Sequence, residues 1–319
     1  MTPTGHEGGQ RIARSTFLRW AGSAAAAVAM GGRAAAAPSP PSSPTMRTRT
    51  IPSSGMALPV VGCGTWRTFD VGPDPGARAP LAEVLEVLFR AGGSVIDSSP
   101  MYGRSEAVVG DLLAEAGSHD RAFLATKVWT RGREAGIRQM EESLALLRRP
   151  RIQLMQVHNL VDWRTHLKTL RAWKAEGRIA HLGVTHYTQS AHGELEAVMR
   201  AETLDFVQIN YALDDRAAER RILPLAADRG IAVLVNQPFG GGGLLRGLRG
   251  RPLPDWAAEI GCETWAQILL KFLLGHEAVT CVIPGTSRPQ HMADNARAGT
   301  GPLPDAALRR RIAAEWDAG

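Results

Sequence analysis

Four ionisable side chains stand at or just beyond the ends of three successive apolar segments. Asp97 closes the segment 94–96, Tyr102 follows it across a short turn, and Lys127 and His158 close the next two segments. Burying a charge costs several kcal/mol unless it is paired or neutralised, so this pattern favours an ionisable site. Considered alone, Asp97 is also consistent with a residue that caps the next helix, and Tyr102 is consistent with a residue that only packs in the turn. Lys127 alone fits a surface ion pair, and His158 alone fits a satisfied core residue.

A phenol beside an ammonium is suited to moving a proton to an oxygen atom. A free tyrosine has a pKa of about 10 and is a reluctant donor. A neighbouring ammonium stabilises the phenolate, and lowering that pKa by about three units takes roughly 4 kcal/mol, which one close charge in a dry pocket supplies. We therefore expect Lys127 to lower the pKa of Tyr102 and Asp97 to hold Lys127 charged.

The elements that position these residues alternate between apolar strands and amphipathic helices. Continuous apolar strands are typical of a parallel sheet that is buried on both faces. Eight strand–helix units in roughly 250 residues match a closed barrel, whose active site lies at the carboxyl ends of the strands. We predict the α/β class, a (β/α)8 TIM barrel with an N-terminal β-hairpin and a C-terminal helix at 304–316. The predicted strands are 60–64, 94–97, 122–127, 152–158, 179–185, 206–210, 231–235 and 280–283.

A doubly wound open sheet is the alternative fold, but no GxGxxG motif follows the first strand. The chain has 319 residues and a formal charge of +6, and its body contains no Lys/Arg block, so nucleic-acid binding is not indicated. Its three cysteines, Cys63, Cys262 and Cys281, are far apart. Their spacing fits neither a metal site nor a disulfide framework, and no metal is predicted.

The first 37 residues have the three-part layout of an export signal. Residues 13–19 resemble a twin-arginine motif in which Ser15 replaces the second arginine. The apolar run is too short to span a membrane. The three parts are a basic start with Arg11, Arg14 and Arg19, an Ala-rich run at 21–30, and a cleavage pattern at Ala35, Ala36 and Ala37.

Export to the periplasm is the expectation from this leader. In the alternative, the leader is a disordered Ala-rich tail and the protein stays in the cytoplasm. A Pro/Ser-rich linker is predicted at 38–50, followed by the barrel at 51–319.

The strand-end residues together resemble the aldo-keto reductase family. Its order of Asp, Tyr-Gly, strand-end Lys and strand-end His is matched by Asp97, Tyr102-Gly103, Lys127 and His158. The resemblance covers about residues 51–299. Further matches lie at 62–66, 183–187, 207–211 and 283–287, with His291, Asp294 and Asn295.

The resemblance implies reduction of an aldehyde or ketone, a small-molecule carbonyl substrate, by hydride from a nicotinamide cofactor. A carbonyl that accepts hydride develops negative charge on oxygen and needs a proton donor and hydrogen bonds there. Tyr102 is then the general acid in reduction and the general base in oxidation. His158 orients the carbonyl. No side chain supplies hydride, so the cofactor must.

The same resemblance places the cofactor across the barrel mouth. NADPH is the expected cofactor. NADH is kept as the alternative, because the Lys and Arg that many members carry at Gly285 and His291 are absent. The residues expected to bind it are Gly64, Thr65, Trp66, Asp97, Thr185, His186, Gln208, Asn236, Gln237, Pro238, Phe239, Gly240, Gly243, Leu244, Pro284, Gly285, Thr286, Ser287, Arg288, His291 and Asn295.

Three of these positions carry specific expectations. Arg288 is the candidate for a 2′-phosphate, and Asn236 stands where many members stack a Tyr on the nicotinamide. His186 stands where Asn is common. The glycine run 240–243 offers backbone amides to a pyrophosphate, although flexible loops share that composition.

The substrate pocket and two competing functions complete the predictions. Trp66, Trp129, Leu160 and Trp163 follow strand ends and either line an apolar pocket or pack loops. A monomer is expected. One alternative function is a non-catalytic barrel that senses nicotinamide nucleotides. The other is a lyase or aldolase that uses Lys127 as a Schiff base.

Overall fold

The computed structural model describes residues 45–318. The predicted export signal at 1–37 and residues 38–44 of the predicted linker lie outside this range. Within residues 45–318, no helix combines the length and the hydropathy that crossing a membrane requires.

Eight parallel strands form one sheet in which neighbouring strands follow one another in the sequence. Parallel bridges from Val61 to Val282 and from Gly64 to Gly285 join the first strand to the last, which closes the barrel. The predicted (β/α)8 fold is therefore confirmed. The strands are β3 (Cys63–Gly64), β4 (Val95–Asp97), β5 (Phe123–Val128), β6 (Ile152–His158), β7 (Ile179–Thr185), β8 (Phe206–Asn210), β9 (Ala232–Asn236) and β10 (Cys281–Val282).

A two-stranded antiparallel hairpin precedes the barrel, with β1 (Thr48–Thr50) paired to β2 (Ala57–Pro59). Ile51 and Leu58 of this hairpin join the apolar cluster formed inside the barrel by residues such as Val95, Phe123, Leu154 and Phe206. These are residues from the amino-terminal parts of the strands, so the hairpin closes that end. The predicted linker boundary at residue 50 was wrong, because 48–50 are held by pairing with β2.

Helices surround the sheet and bury their apolar faces against it. The helix α1 begins at Pro75, where the Asp74 carboxylate caps it by accepting the Ala77 amide at 2.9 Å. The helices are α1 (Pro75–Arg90), α2 (Ser105–Glu115), α3 (Arg133–Leu146), α4 (Trp163–Ala175), α5 (His192–Ala201), α6 (Ile222–Asp228), α7 (Gly243–Gly247), α8 (Trp265–Leu274), α9 (Pro289–Arg297) and α10 (Ala306–Asp317).

Candidate active site

The four predicted residues meet at one mouth of the barrel. Asp97 ends β4, Lys127 is the fifth residue of β5, and His158 ends β6. Because parallel strands end at the same edge, these side chains converge at the carboxyl end. Tyr102 reaches the same point from the turn between β4 and α2, and its ring lies 5.9 Å from the His158 ring between centroids.

A buried ion pair forms the floor of the site. Lys127 Nζ lies 2.7 Å from Asp97 Oδ2 and donates to the Ser98 carbonyl at 2.6 Å. Asp97 Oδ1 accepts from the side-chain amides of Gln208 at 2.8 Å and Gln156 at 3.4 Å. Burial acts to lower the pKa of Lys127, but the neighbouring Asp97 and Tyr102 prevail and the pKa lies above its ordinary value. Lys127 is thus a fixed ammonium ion.

Tyr102 lies against this ammonium. The Lys127 Nζ atom is 5.0 Å from the centroid of the phenol ring. Burial raises the pKa of Tyr102 above its ordinary value, and the charge and hydrogen bond of Lys127 offset only part of that effect. The expected lowering of this pKa was therefore wrong in net direction, because the sequence pattern does not reveal how far the phenol is removed from water.

His158 is a neutral imidazole. Burial is the larger cause and the nearby charge of Lys127 the next, and together they lower the pKa of His158 to about 2. The ring stands nearly perpendicular to that of Tyr102, at 84°. Its Nδ1 atom lies 3.0 Å from the Ser99 hydroxyl. A neutral ring of this kind supplies a hydrogen bond rather than a charge.

This suppressed pKa makes the stability of the protein depend on pH. Unfolded histidine titrates at about 6.5, so below that pH the unfolded chain binds a proton that folded His158 refuses. We expect His158 to lower the free energy of unfolding by up to about 1.4 kcal/mol per pH unit as the pH falls below 6.5. Urea unfolding at pH 7, 6 and 5 gives the free energy of unfolding at each pH. This free energy should change less steeply with pH in His158→Gln than in the wild type. Equal slopes in the two proteins would contradict a suppressed pKa.

A cavity of about 1090 Å³ opens above these residues. Asp97, Tyr102 and His158 line it, while Lys127 lies beneath. Of the residues predicted to bind cofactor, the cavity wall contains Gly64, Thr65, Trp66, Asp97, Thr185, Gln208, Asn236, Gln237, Pro238, Phe239, Gly285, Thr286, His291 and Asn295. The wall does not contain His186, Gly240, Gly243, Leu244, Pro284, Ser287 or Arg288.

Local contacts explain why several of these residues do not line the cavity. His186 stacks on Tyr187, and its Nδ1 accepts the Tyr187 amide at 3.0 Å. Leu244 is buried in the core. Gly240 faces Asp214, so close that a Cβ atom there would lie 2.6 Å from a carboxylate oxygen. Arg288 precedes the first residue of α9 and does not reach the wall.

The long segment between β9 and α8 supplies most of the wall residues that are not among the individually predicted cofactor residues. It folds through Gly241 and Gly242, both with positive φ, and is tied down where the Trp265 indole donates to the Arg251 carbonyl at 3.0 Å. No apolar period marks this segment, so periodicity does not predict its path. The additional wall residues are Arg67, Met101, Asn159, Tyr187, Gly241, Gly242, Leu245, Leu248, Arg249, Gly250, Arg251, Leu253, Glu263, Thr264, Trp265, Ala266, Ile283 and Asp294.

Two polar atoms of wall residues are free to receive a hydrogen bond. Within residues 45–318, the buried Oδ1 atoms of Asn159 and Asn236 have no partner. By contrast, both ends of the Gln208 amide are engaged, with Asp97 and with Thr185 at 3.1 Å. A buried acceptor without a partner is costly unless a ligand supplies the donor. Within residues 45–318, no group of three or more His, Cys, Asp or Glu is arranged to hold a metal ion.

Only two of the four residues predicted for the substrate pocket line the cavity. Trp66 and Trp129 line the cavity and remain 44% and 42% exposed. Leu160 and Trp163 are instead buried in the core that packs outside the barrel. Met101 joins the two tryptophans and is 38% exposed, so the outer wall is apolar and open.

Comparisons with known proteins agree with this architecture. The sequence pattern described as the Aldo/keto reductase family matches residues 60–311. Methylglyoxal reductase YeaE of Escherichia coli is 28% identical over 259 residues, which cover 79% of this chain and 89% of that protein. An NADH-specific methylglyoxal reductase of Escherichia coli is 27% identical over 229 residues, covering 61% and 68% respectively.

Two solved structures from Klebsiella pneumoniae share the fold. An aldo/keto reductase in complex with NADP and acetate is 26% identical, with a TM-score of 0.70, and the match covers 82% of this chain and 94% of that chain. An aldo-keto reductase in complex with NADPH is 23% identical, with a TM-score of 0.72, covering 86% and 95%.

Proposed function

The chain belongs to the aldo/keto reductase family, and from this premise we propose that it reduces an aldehyde or ketone to the alcohol with NADPH, and with NADH as the alternative donor. The observation that carries the proposal is the convergence of Asp97, Tyr102, Lys127 and His158 at the base of one cavity. The cofactor, when bound, supplies the hydride that no side chain provides.

Tyr102 is proposed as the proton donor. When the carbonyl carbon gains a hydride, its oxygen becomes an alkoxide, which is far more basic than a phenolate. A phenol with a raised pKa therefore still gives up its proton to that oxygen. The resulting phenolate lies against the Lys127 ammonium, which stabilises it, and the phenol recovers its proton from solvent.

His158 and Asp97 are proposed to hold this arrangement in place. The neutral ring of His158 is proposed to donate a hydrogen bond to the carbonyl oxygen beside the phenol. Asp97 keeps Lys127 charged and fixed through the 2.7 Å contact. A Schiff base at Lys127 is disfavoured, because its nitrogen is an ammonium bonded to both Asp97 and the Ser98 carbonyl.

The cavity wall fits a nicotinamide dinucleotide. Asn236 Oδ1 is a buried acceptor for a carboxamide N–H. Gly241 and Gly242 bring backbone without side chains to the wall, where a pyrophosphate needs close approach. His291, in the first turn of α9, also lines the cavity, and helix amino termini favour phosphate.

The substrate is proposed to be a small aldehyde or dicarbonyl compound. The open mouth carries the apolar side chains of Trp66, Met101 and Trp129 above the proposed proton donor. Two relatives are named methylglyoxal reductases, which supports including that class.

The proposal is tested by titrating the protein with NADPH and NADH and then assaying carbonyl compounds. Trp66 and Trp265 line the cavity, so dinucleotide binding should change tryptophan fluorescence. With methylglyoxal and a set of simple aldehydes and ketones, the near-ultraviolet absorbance of the reduced cofactor should disappear at the rate at which alcohol forms. Tight dinucleotide binding without turnover on any carbonyl would favour the sensor function instead.

A further inference from the structure

Ser99 lies in the turn between Asp97 and Tyr102, and it is fully buried beside the imidazole of His158. Its hydroxyl oxygen is 3.0 Å from His158 Nδ1. The same oxygen accepts the backbone N–H of Met101 at 3.4 Å. Within residues 45–318, these are the two hydrogen bonds of the Ser99 side chain, so its environment is defined by one amide and one ring nitrogen.

The pattern of these two contacts sets the direction of the bond to the ring. A serine hydroxyl has one hydrogen to donate, and an unpaired buried donor costs free energy. The Met101 amide is a donor, so it cannot receive the hydroxyl hydrogen. His158 Nδ1 is the acceptor that lies within reach. A ring that carried its hydrogen on Nδ1 would leave the Ser99 hydrogen buried without an acceptor.

We infer that Ser99 is a positioning residue that holds His158 in the tautomer with its hydrogen on Nε2. The ring lines the cavity, and no group in the described part of the chain bonds to Nε2. The Nε2–H group is therefore left to donate to a ligand oxygen. The identification of that oxygen as a substrate carbonyl rests on the proposed function, whereas the tautomer itself does not.

Without the Ser99 hydroxyl, the two neutral tautomers differ less in energy and the ring has lost a fixed contact. In the tautomer with hydrogen on Nδ1, Nε2 presents a lone pair to the cavity, which repels the carbonyl oxygen instead of binding it. Only part of the protein population then has a His158 tautomer that can donate to the carbonyl oxygen, and the orientation of the ring is less precise. We expect kcat to fall by about tenfold in Ser99→Ala, less than for complete removal of an oxyanion donor.

The experiment uses the full chain labelled with nitrogen-15 at histidine, with nitrogen NMR as the readout of the tautomer. The wild type should show protonated Nε2 and unprotonated Nδ1 for His158. The His158 signals are assigned as those that are missing from the spectrum of His158→Gln. Ser99→Ala should shift both signals toward the mixed state, and Ser99→Thr, which keeps the hydroxyl, should restore them. Ser98→Ala is the matched control, since Ser98 is equally buried but its hydroxyl accepts from Thr65 at 3.0 Å.

Two results would overturn the inference. One is a Ser99→Ala protein whose His158 signals match those of the wild type. The other is a Ser98→Ala protein that changes the signals as much as Ser99→Ala does. If no carbonyl compound is turned over but the signals move as expected, the reductase proposal fails while the role of Ser99 stands.

Discussion

Replacing Tyr102 with Phe should lower kcat for carbonyl reduction by at least about a hundredfold, while the affinity for the dinucleotide stays within about threefold. Phe keeps the ring that lies 5.0 Å from Lys127 Nζ and 5.9 Å from His158, so the packing of the site persists. Only the hydroxyl is lost, and with it the proton that the alkoxide must receive. Steady-state rates and a fluorescence titration with NADPH measure the two quantities separately.

Tyr187→Phe is the matched control for this substitution. Tyr187 also lines the cavity, but its ring stacks on the imidazole of His186. Its loss of a phenol should cost less than tenfold in kcat. If Tyr102→Phe and Tyr187→Phe have equal effects, or if Tyr102→Phe turns over at the wild-type rate, Tyr102 is not the proton donor.

The regular parts of this fold were predictable because local signals and tertiary packing agree. The strands β6, β7 and β8 have the predicted bounds. Each of these strands is an apolar run that both the barrel interior and the surrounding helices bury, so one pattern satisfies both requirements. The positions of Asp97, Lys127 and His158 at the mouth then follow from strand direction alone.

The irregular parts were not predictable for a physical reason. The segment from Gln237 to Ala266 is shaped by single long-range contacts, such as the Trp265 indole on the Arg251 carbonyl, and such contacts leave no period in the sequence. The glycine run 240–243 was expected to offer amides, and Gly241 and Gly242 do line the wall, whereas Gly240 and Gly243 do not. Backbone direction within a glycine run depends on φ values that composition does not fix.

Charge states required the structure for a related reason. The sequence predicts that Tyr102 and Lys127 are neighbours, and the structure confirms it. The net pKa of the phenol, however, is the balance between burial and one charge, and burial is the larger effect. Likewise, the sequence alone suggests only the ordinary pKa of a histidine for His158. The structure shows the burial that lowers it.

Replacing Lys127 with Met should destabilise the protein and abolish most activity, and a second substitution should separate these effects. The single variant leaves Asp97, which is 3% exposed, without its cation. Breaking one side of a buried pair costs about 3 kcal/mol of the free energy of unfolding. Asp97→Asn in the same chain removes the remaining charge and should restore most of that stability. Urea unfolding of the two single variants and the double variant completes the cycle.

The catalytic rate should not follow stability in this cycle. Lys127→Met should lower kcat by at least about a hundredfold, because no ammonium then stabilises the phenolate of Tyr102. The double variant should be as slow as Lys127→Met despite its recovered stability. Lys271→Met is the control for loss of a buried lysine, since Lys271 donates to the Pro302 carbonyl at 3.0 Å, outside the cavity wall. A double variant that regains both stability and rate would show that Lys127 serves the fold and not the proton transfer.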